Sequence, residues 1–573
     1  MLNSADLPRE SSPEPSVSVA VPARDFLQPV LAGIRPYLLL MAACALLYLP
    51  GQTSLPVTDR DEARFIQATR QMLQSGDYVV VRFQDELRAK KPAGIYWLQS
   101  AAVRAFSTPE STAAWPYRLP SLLAAVAAVL LTFRFASTLF DRRAAFFAAL
   151  ALATSLVLVA EAHIATTDAA LLACTTLVQG SLGLIYLQSR GGPSAPRWAV
   201  PAFWLGTAAA ILVKGPITLA ITLLTVLTLC VTDRSARWLR LLRPVAGLAV
   251  TVLLVAPWMV AVTQQTHGAF LSRAVGEDLL PKLLRGEEGH GQAPGFHTLA
   301  VALTLWPASL FLLPALAHAW RQRAAPSVQF ALAWAGPAWV MFELVPTKLW
   351  HYTLPLFPAL VMLIGAWLVS RTETVKRGRA ALAGRVWGGV WGLAGVVFAL
   401  VALLLPMVYG KGFSLWALPA AAAAIATLFV AWWYSHQQAY RSGFLALAAA
   451  GGIAQVGLLV GVAPLASDFW VSQRSVARLH QMVPGAALAV AGYAEPSIVF
   501  QNGTDTKLVS AGEAAAWVMQ RSRAALVEER ELPAFTASLP RPGAVGERAV
   551  IEGFDYSNGK HVRLHLFVAA VGY

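Results

Sequence analysis

From residue 35 to residue 464 the chain alternates long apolar runs, such as Tyr37–Pro50, Ala246–Val262 and Val386–Leu405, with short polar segments. A helix needs about 20 predominantly apolar residues to cross a bilayer. The pattern predicts 13 membrane spans, over 35–50, 117–138, 143–161, 168–188, 199–213, 216–232, 244–264, 298–318, 327–345, 351–370, 386–408, 414–434 and 443–464. Residues 92–106 (PAGIYWLQSAAVRAF) are apolar but short. As a helix they reach only about 22 Å, against roughly 30 Å of hydrocarbon. Ile95, Leu98, Ala102 and Phe106 recur at helical spacing, with Gln99 and Arg104 elsewhere. This predicts a helix lying on the membrane surface. Residues 61–74 (DEARFIQATRQMLQ) predict a companion amphipathic helix that buries Phe65, Ile66, Thr69, Met72 and Leu73.

Beyond residue 465 the pattern shortens. Strand-like runs occur at Leu488–Gly492, Ser497–Phe500, Arg548–Ile551 and Val562–Val568, Ala511–Gln520 reads as a helix, and Asn558–Gly559 is a turn signal between two strands. Residues 466–573 are therefore expected to form a small soluble α/β domain, and 35–465 a transmembrane domain with its first loop at 51–116. The first 34 residues are polar and rich in Pro and Ser. They predict a disordered cytoplasmic tail and lack the early apolar core of a cleavable signal peptide.

Composition agrees with a polytopic membrane protein. Hydrophobic residues make up 57% and charged residues 13%, where soluble chains carry about 25% charged. The net charge of +14 does not indicate nucleic-acid binding, because much of it sits in short loops. With the N-terminus cytoplasmic, the loops expected on that side hold 16 basic residues against three acids, Asp141, Asp233 and Glu373. That is the positive-inside distribution. The opposite loops are mixed: 51–92 carries seven basic and six acidic groups. An odd number of spans places 466–573 on this far side. Cys44, Cys174 and Cys230 all lie in apolar runs and suggest neither a disulfide framework nor a metal site.

The unusual polar residues gather on the same far side. They are Asp59, Asp61, Glu62, Arg64, Lys90, Lys91, Glu161, His163, Asp168, Lys214, Glu277, Asp278, Glu288, His290, His297, Glu343, Lys348, His351 and Tyr352. Ionisable groups at a membrane are costly unless paired or solvated, so their convergence indicates a site. Carboxylates can act as general base, and Lys, Arg and His can hold a departing phosphate. Plainer readings exist. Asp61 and Arg64 have the spacing of a local helix ion pair, Asp168 competes with Thr166 and Thr167 as a helix cap, and Lys91, Lys214 and Lys348 could be snorkelling anchors.

Several of these residues carry a resemblance. Asp61-Glu62-Ala63-Arg64-Phe65, Met72-Leu73-Gln74-Ser75-Gly76-Asp77, Lys91-Pro92 with Tyr96-Trp97, Asp168 at the start of a span, Lys214-Gly215-Pro216, and Pro346-Thr347-Lys348 with His351-Tyr352 and Leu354-Pro355 together resemble the aminoarabinose transferase (ArnT) and protein O-mannosyltransferase superfamily. The resemblance implies a GT-C glycosyltransferase of the bacterial inner membrane. Such an enzyme takes a monosaccharide, aminoarabinose-like or hexose, from a polyprenyl phosphate, usually undecaprenyl phosphate. It inverts the anomeric centre without a covalent sugar–enzyme intermediate. The acceptor expected on the periplasmic side is lipid A, lipopolysaccharide or another envelope glycolipid, with a protein hydroxyl as the superfamily's other option. Asp61 would be the key carboxylate, supported by Asp168. Arg64, Lys91, Lys214, Lys348 and His351 would meet the donor phosphate, and Glu62, Lys90, His163 and Tyr352 would contact substrate. Two departures stand out: Lys90 replaces the Glu often found before Lys-Pro, and Phe65 replaces a Tyr. The first removes a plausible metal ligand, which leaves Glu288 and His290 as the metal candidates for a divalent ion. A monomer is expected. The rival reading, a transporter or flippase of lipid-linked precursors, fits the spans. It explains less well why the charges lie at one face rather than near the midplane.

Overall fold

The computed structural model describes residues 31–281, 291–370, 379–520 and 522–569. The chain is a polytopic helical membrane protein with a small α/β unit at its C-terminal end. In order, the membrane region comprises α1 (Arg35–Tyr48), α2 (Asp61–Ser75), a two-stranded ribbon β1–β2 (Arg82–Phe83, Glu86–Leu87), α3 (Gly94–Phe106), α4 (Trp115–Leu139), α5 (Arg142–Ala153), α6 (Leu156–Glu161) and α7 (Asp168–Ser189). There follow α8 (Ala199–Lys214), α9 (Ile217–Asp233), α10 (Pro244–Gln265), α11 (Ala269–Arg273), α12 (Phe296–Thr304), α13 (Leu312–Arg321), α14 (Pro326–Leu344), α15 (Phe357–Val369), α16 (Arg379–Val408), α17 (Ala417–His436) and α18 (Tyr440–Val456). Among the described residues, six helical stretches are long and apolar enough to cross a bilayer, and shorter apolar helices accompany them. Leu219, Leu223, Leu227, Val245, Val252 and Leu253 stand exposed, as residues facing lipid do.

Two expected spans are broken. The 143–161 run divides after Ala153, because Ser155 takes an extended backbone. The 298–318 run divides around Trp306-Pro307, where proline cannot continue the helical ladder. Backbone groups freed inside a membrane protein need internal partners. Here the breaks supply them: Leu156 N–H donates to Trp306 O at 3.1 Å, Gln455 Nε2 to Thr154 O at 2.9 Å, and Trp391 Nε1 to Pro307 O at 3.1 Å. The expected span at 351–370 starts only at Leu354, so His351 and Tyr352 lie in a turn, with Lys348 in the irregular segment before it. At the N-terminal side, residues 31–34, expected in the tail, are docked. Leu31 is buried, and Arg142 donates to the carbonyls of Leu31 and Gly33.

The first loop is packed more deeply than its amphipathic pattern implies. Phe65, Ile66, Thr69 and Met72 are buried as expected, with Glu62 on the same face, but so are Gln67 and Arg70 on the other side of α2. A second partner causes this. Arg70 Nη1 donates to Phe500 O at 2.6 Å, and Gln67 Nε2 to Thr504 Oγ1 at 2.8 Å, both in the C-terminal unit. On α3, Leu98 and Phe106 are exposed while Ile95 is buried. Gln99 is also buried, accepting from Thr69 Oγ1 at 2.6 Å and donating to Ala165 O at 3.2 Å.

At the root of the loop lies a fully buried ion pair. Arg118, in the first turn of α4, donates Nε to Glu62 Oε1 at 2.7 Å and Nη2 to Oε2 at 3.0 Å. The guanidinium also donates to the carbonyls of Gln52, Leu55 and Pro56. Glu62 in turn accepts from Thr58 N, Thr58 Oγ1 and Ala165 N. Every group of this pair is therefore hydrogen-bonded.

The C-terminal unit runs α19 (Val471–Met482), β3 (Ala487–Ala491), α20 (Pro496–Asn502), β4 (Lys507–Leu508), α21 (Ala511–Val518), β5 (Arg523–Glu528), α22 (Leu532–Ala537), β6 (Val545–Asp555) and β7 (Lys560–Ala569). Its sheet has the order β4-β3-β5-β7-β6. The β3–β4 and β3–β5 pairs are parallel, and the β5–β7 and β6–β7 pairs antiparallel. The expected strand at Ser497–Phe500 is instead a helix opened by Pro496, since a short apolar run carries no decisive period. β5 was not anticipated. The helix at Ala511 starts on a capping box of Ser510 and Glu513, and Asn558–Gly559 does turn the β6–β7 hairpin.

Removing one partner of a buried pair strands the other charge, at a typical cost of about 3–5 kcal/mol. Glu62→Ala should lower the thermal midpoint of the purified protein sharply. Joint replacement with Arg118→Leu should recover much of the loss, as a double-mutant cycle would measure.

Candidate functional site

The site is assembled from helix ends. Asp61 opens α2, Asp168 is the first residue of α7, and Lys214 is the last residue of α8 before Gly215 turns the chain at φ 72. His351 and Tyr352 come from the turn before α15, and Lys90 and Lys91 from the segment before α3. All seven residues line one cavity of about 130 Å³, together with Arg60, Phe65, Arg88, Thr166 and Thr167.

Its centre is a charge network on Asp168. The Lys214 ammonium donates to Asp168 Oδ1 at 2.5 Å, with both side chains 7% exposed. His351 Nε2 lies 3.7 Å from the same oxygen, and its Nδ1 lies 3.2 Å from Glu161 Oε1. Glu161 Oε2 accepts from Thr166 Oγ1 at 2.7 Å. Asp168 thus turns its carboxylate to the lysine of the neighbouring helix rather than capping its own. Asp61 is exposed, and among the described residues no hydrogen bond engages its carboxylate. Lys91 Nζ lies 3.6 Å from Asp278. Arg88 is held by Tyr96 Oη at 2.9 Å and lies over the Phe65 ring at 5.0 Å. Five cations, Arg60, Arg88, Lys90, Lys91 and Lys214, line the cavity with the two carboxylates of Asp61 and Asp168, so its field favours an anion. Two residues before Asp61, burial and then the neighbouring charge of Glu495 push the Asp59 carboxyl up to about 8.

Other candidates lie elsewhere. Arg64 lines an adjoining cavity of about 300 Å³ with Arg273, Glu277 and Asp278, while Arg88 and Lys90 border both spaces. Glu62 is committed to Arg118 inside the protein. His163 is fully buried, its ring nitrogens 2.7 Å from the carbonyl oxygens of Val159 and Pro50. Lys348 is buried and donates to the carbonyls of Gln292 at 2.9 Å and Val345 at 2.7 Å. Neither Glu62, His163 nor Lys348 lines the cavity. His297 is buried against Phe296 and Phe342. Glu288 and His290 lie outside the described residues.

Glu161, Asp168 and His351 bring potential ligand atoms within 4.8 Å of one another. The donor set nevertheless fits a divalent cation poorly. The Asp168 oxygen nearest His351 already receives the Lys214 ammonium, and the surrounding lining is cationic. Sequence reasoning missed Arg60, Arg88 and Arg118. For Arg88, its place beside Lys90-Lys91 was an available signal. For Arg118 it was a lone arginine entering an apolar span.

Comparisons with known proteins agree with this architecture. Residues 90–260 match the family described as dolichyl-phosphate-mannose-protein mannosyltransferase. Undecaprenyl phosphate-alpha-4-amino-4-deoxy-L-arabinose arabinosyl transferase of Pectobacterium atrosepticum is 27% identical over 374 residues, covering 64% of this chain and 66% of that protein. The protein of the same name from Aeromonas salmonicida is 28% identical over 378 residues, with the same coverage. The chain thus matches just under two thirds of these relatives' length. The crystal structure of ArnT from Cupriavidus metallidurans bound to undecaprenyl phosphate superposes with a TM-score of 0.70 at 18% identity, over 93% of this chain and 98% of that one. The shared fold runs almost end to end, the family model covers α3 to α10, and the relatives bear one name. The chain therefore shares the fold of ArnT over nearly its whole length, and its sequence is similar to the superfamily that unites ArnT with the protein O-mannosyltransferases.

Proposed function

We propose that the protein is an inner-membrane glycosyltransferase that moves a monosaccharide from undecaprenyl phosphate to an acceptor at the periplasmic face. The observation that carries this reading is one cavity lined by an exposed Asp61, by the Asp168–Lys214 pair and by Arg60, Arg88, Lys90 and Lys91. In the proposed reaction, Asp61 accepts the proton of the acceptor group as its oxygen attacks the anomeric carbon. The bond from that carbon to the phosphate oxygen breaks, and polyprenyl phosphate leaves. Attack opposite the leaving group inverts the centre. Lys91, Lys214, Arg60 and Arg88 offset the charge that grows on the departing phosphate. Asp168 holds Lys214 and, with Glu161, orients His351.

The relatives' name supports undecaprenyl phosphate as the carrier and an aminoarabinose-like sugar, and the acceptor we propose is an envelope glycolipid such as lipid A. A protein hydroxyl as acceptor is favoured by one observation, the description of the family matched over 90–260. The deciding experiment supplies purified protein in detergent with undecaprenyl-phosphate sugar and either lipid A or a Ser/Thr peptide. Transfer without any membrane gradient supports an enzyme over a transporter, and the product separates the acceptors. Absence of transfer with each donor–acceptor pair defeats the reading.

Asp61→Asn should lower kcat by about 10²–10⁴, the usual contribution of a general base, while the protein still inserts and folds. Full activity in that variant would remove the base. A second pair of variants separates site from scaffold. Lys214→Met should cost about 10²–10³ in kcat, as loss of a preorganised charge does. Lys348→Met should leave kcat within a few-fold but lower thermal stability by about 2 kcal/mol through two lost hydrogen bonds.

A further inference from the structure

Asp61 sits at the end of a short turn whose backbone is unusual. Arg60 has φ 60 and ψ −97, a region that residues with a Cβ adopt only when their surroundings enforce it. The enforcement comes from two bodies. The membrane helices pin the flanks, since Glu62, bound to Arg118, takes the N–H and hydroxyl of Thr58 at 2.8 and 2.9 Å. The C-terminal unit grips the middle. Asp59 N–H donates to Tyr556 Oη at 2.5 Å, and Arg60 Nη2 donates to Asn558 Oδ1 at 2.6 Å. Both grips belong to the β6–β7 hairpin turn, which is itself rigid. Asp555 accepts from Ser557 N–H at 3.0 Å and from Asn558 Nδ2 at 2.7 Å. The Tyr556 ring packs on Phe469 and Trp470, and Phe554 packs on Tyr409 just beyond α16. The hairpin is therefore braced on the bundle and on its own turn.

We infer that the C-terminal unit completes the catalytic site, with Tyr556 and Asn558 acting as positioning residues that hold the 59–60 turn and so aim Asp61 into the cavity. The inference rests on Asp61 being the base of the proposed transfer. It gives the C-terminal unit a role in kcat rather than in anchoring alone.

The same clasp is sensitive to pH. Asp59 Oδ1 and Glu495 Oε2 are both buried without a hydrogen-bond partner. Around them stand Asp555, the cations Arg60 and Arg64, and the phenols of Tyr493 and Tyr556, which burial keeps neutral. Away from the interface Asp59 would ionise near the ordinary carboxylate value of about 4, whereas in place it keeps its proton to about 8. The clasped form thus binds the extra proton between these values. By linkage it weakens as pH rises through that window and levels off above about 8. Asp59→Asn removes the titration.

The test uses the full chain in detergent, with Tyr556→Phe, Asn558→Leu and Asp59→Asn. The first two should lower kcat about tenfold to a hundredfold, as small misplacements of a reacting group do. Donor KM should stay near wild type in both, and the thermal midpoint should stay near wild type in Tyr556→Phe. Amide hydrogen exchange over residues 57–64, read by mass spectrometry, should quicken in both. Asp59→Asn should remove the decline of kcat expected from the clasp as pH rises between about 4 and 8. Unchanged exchange in Tyr556→Phe and Asn558→Leu overturns the clasp whether or not sugar transfer is observed. Quickened exchange with wild-type kcat overturns its catalytic role. If wild-type protein transfers no sugar, the base assignment fails, and the exchange data still decide the clasp.

Discussion

The buried pair of Glu62 and Arg118 is the constraint on which the site depends. Two opposite charges leave water together, and their remaining donors and acceptors are matched by the carbonyls of 52–56, the amide of Ala165 and the polar groups of Thr58. Such a pair adds little net stability, but it tolerates few arrangements, because every misplaced partner leaves a buried charge unsatisfied. It joins the first loop, the start of α4 and the segment before α7. Asp61 and Asp168, which flank those elements, consequently have a defined relation to one another.

Around that anchor the membrane helices contribute their ends rather than their middles. A helix end is where charged side chains can reach water while the apolar body stays in lipid. Asp168 and Lys214 exploit adjacent ends, and their contact neutralises both at 7% exposure. The same lysine lines the cavity, so the pair joins the scaffold to the site. The remaining cations come from the first loop, whose position depends on the Glu62–Arg118 anchor and on the C-terminal unit.

Packing also explains why α2 is buried on more than its apolar face. One side meets α3, and the other meets α20 through Arg70, which lies 4.2 Å from the centre of the Phe500 ring. A helix between two partners can bury polar residues, provided each finds a hydrogen bond. Gln67 and Arg70 do so across the interface. The arrangement links the C-terminal unit physically to the loop that carries Asp61.

The sequence by itself determined the membrane class and most of the helices, because a bilayer imposes length and apolarity that are visible residue by residue. It also marked Asp61, Lys91, Asp168, Lys214, His351 and Tyr352, since charge beside an apolar run is conspicuous, and the structure brings all six to one cavity. Tertiary structure alone decided which charges line the cavity and which serve the scaffold. Glu62 and Lys348 look no different in sequence from Asp61 and Lys214. Yet the first pair meets Arg118 and backbone carbonyls inside the protein, and the second pair meets the cavity. Partners 56 residues apart, as for Glu62 and Arg118, or 498 apart, as for Arg60 and Asn558, leave no local pattern. The pairing of the helix breaks at Ser155 and Trp306 was hidden too, since the hydrogen bond from Leu156 N–H to Trp306 O crosses the bundle.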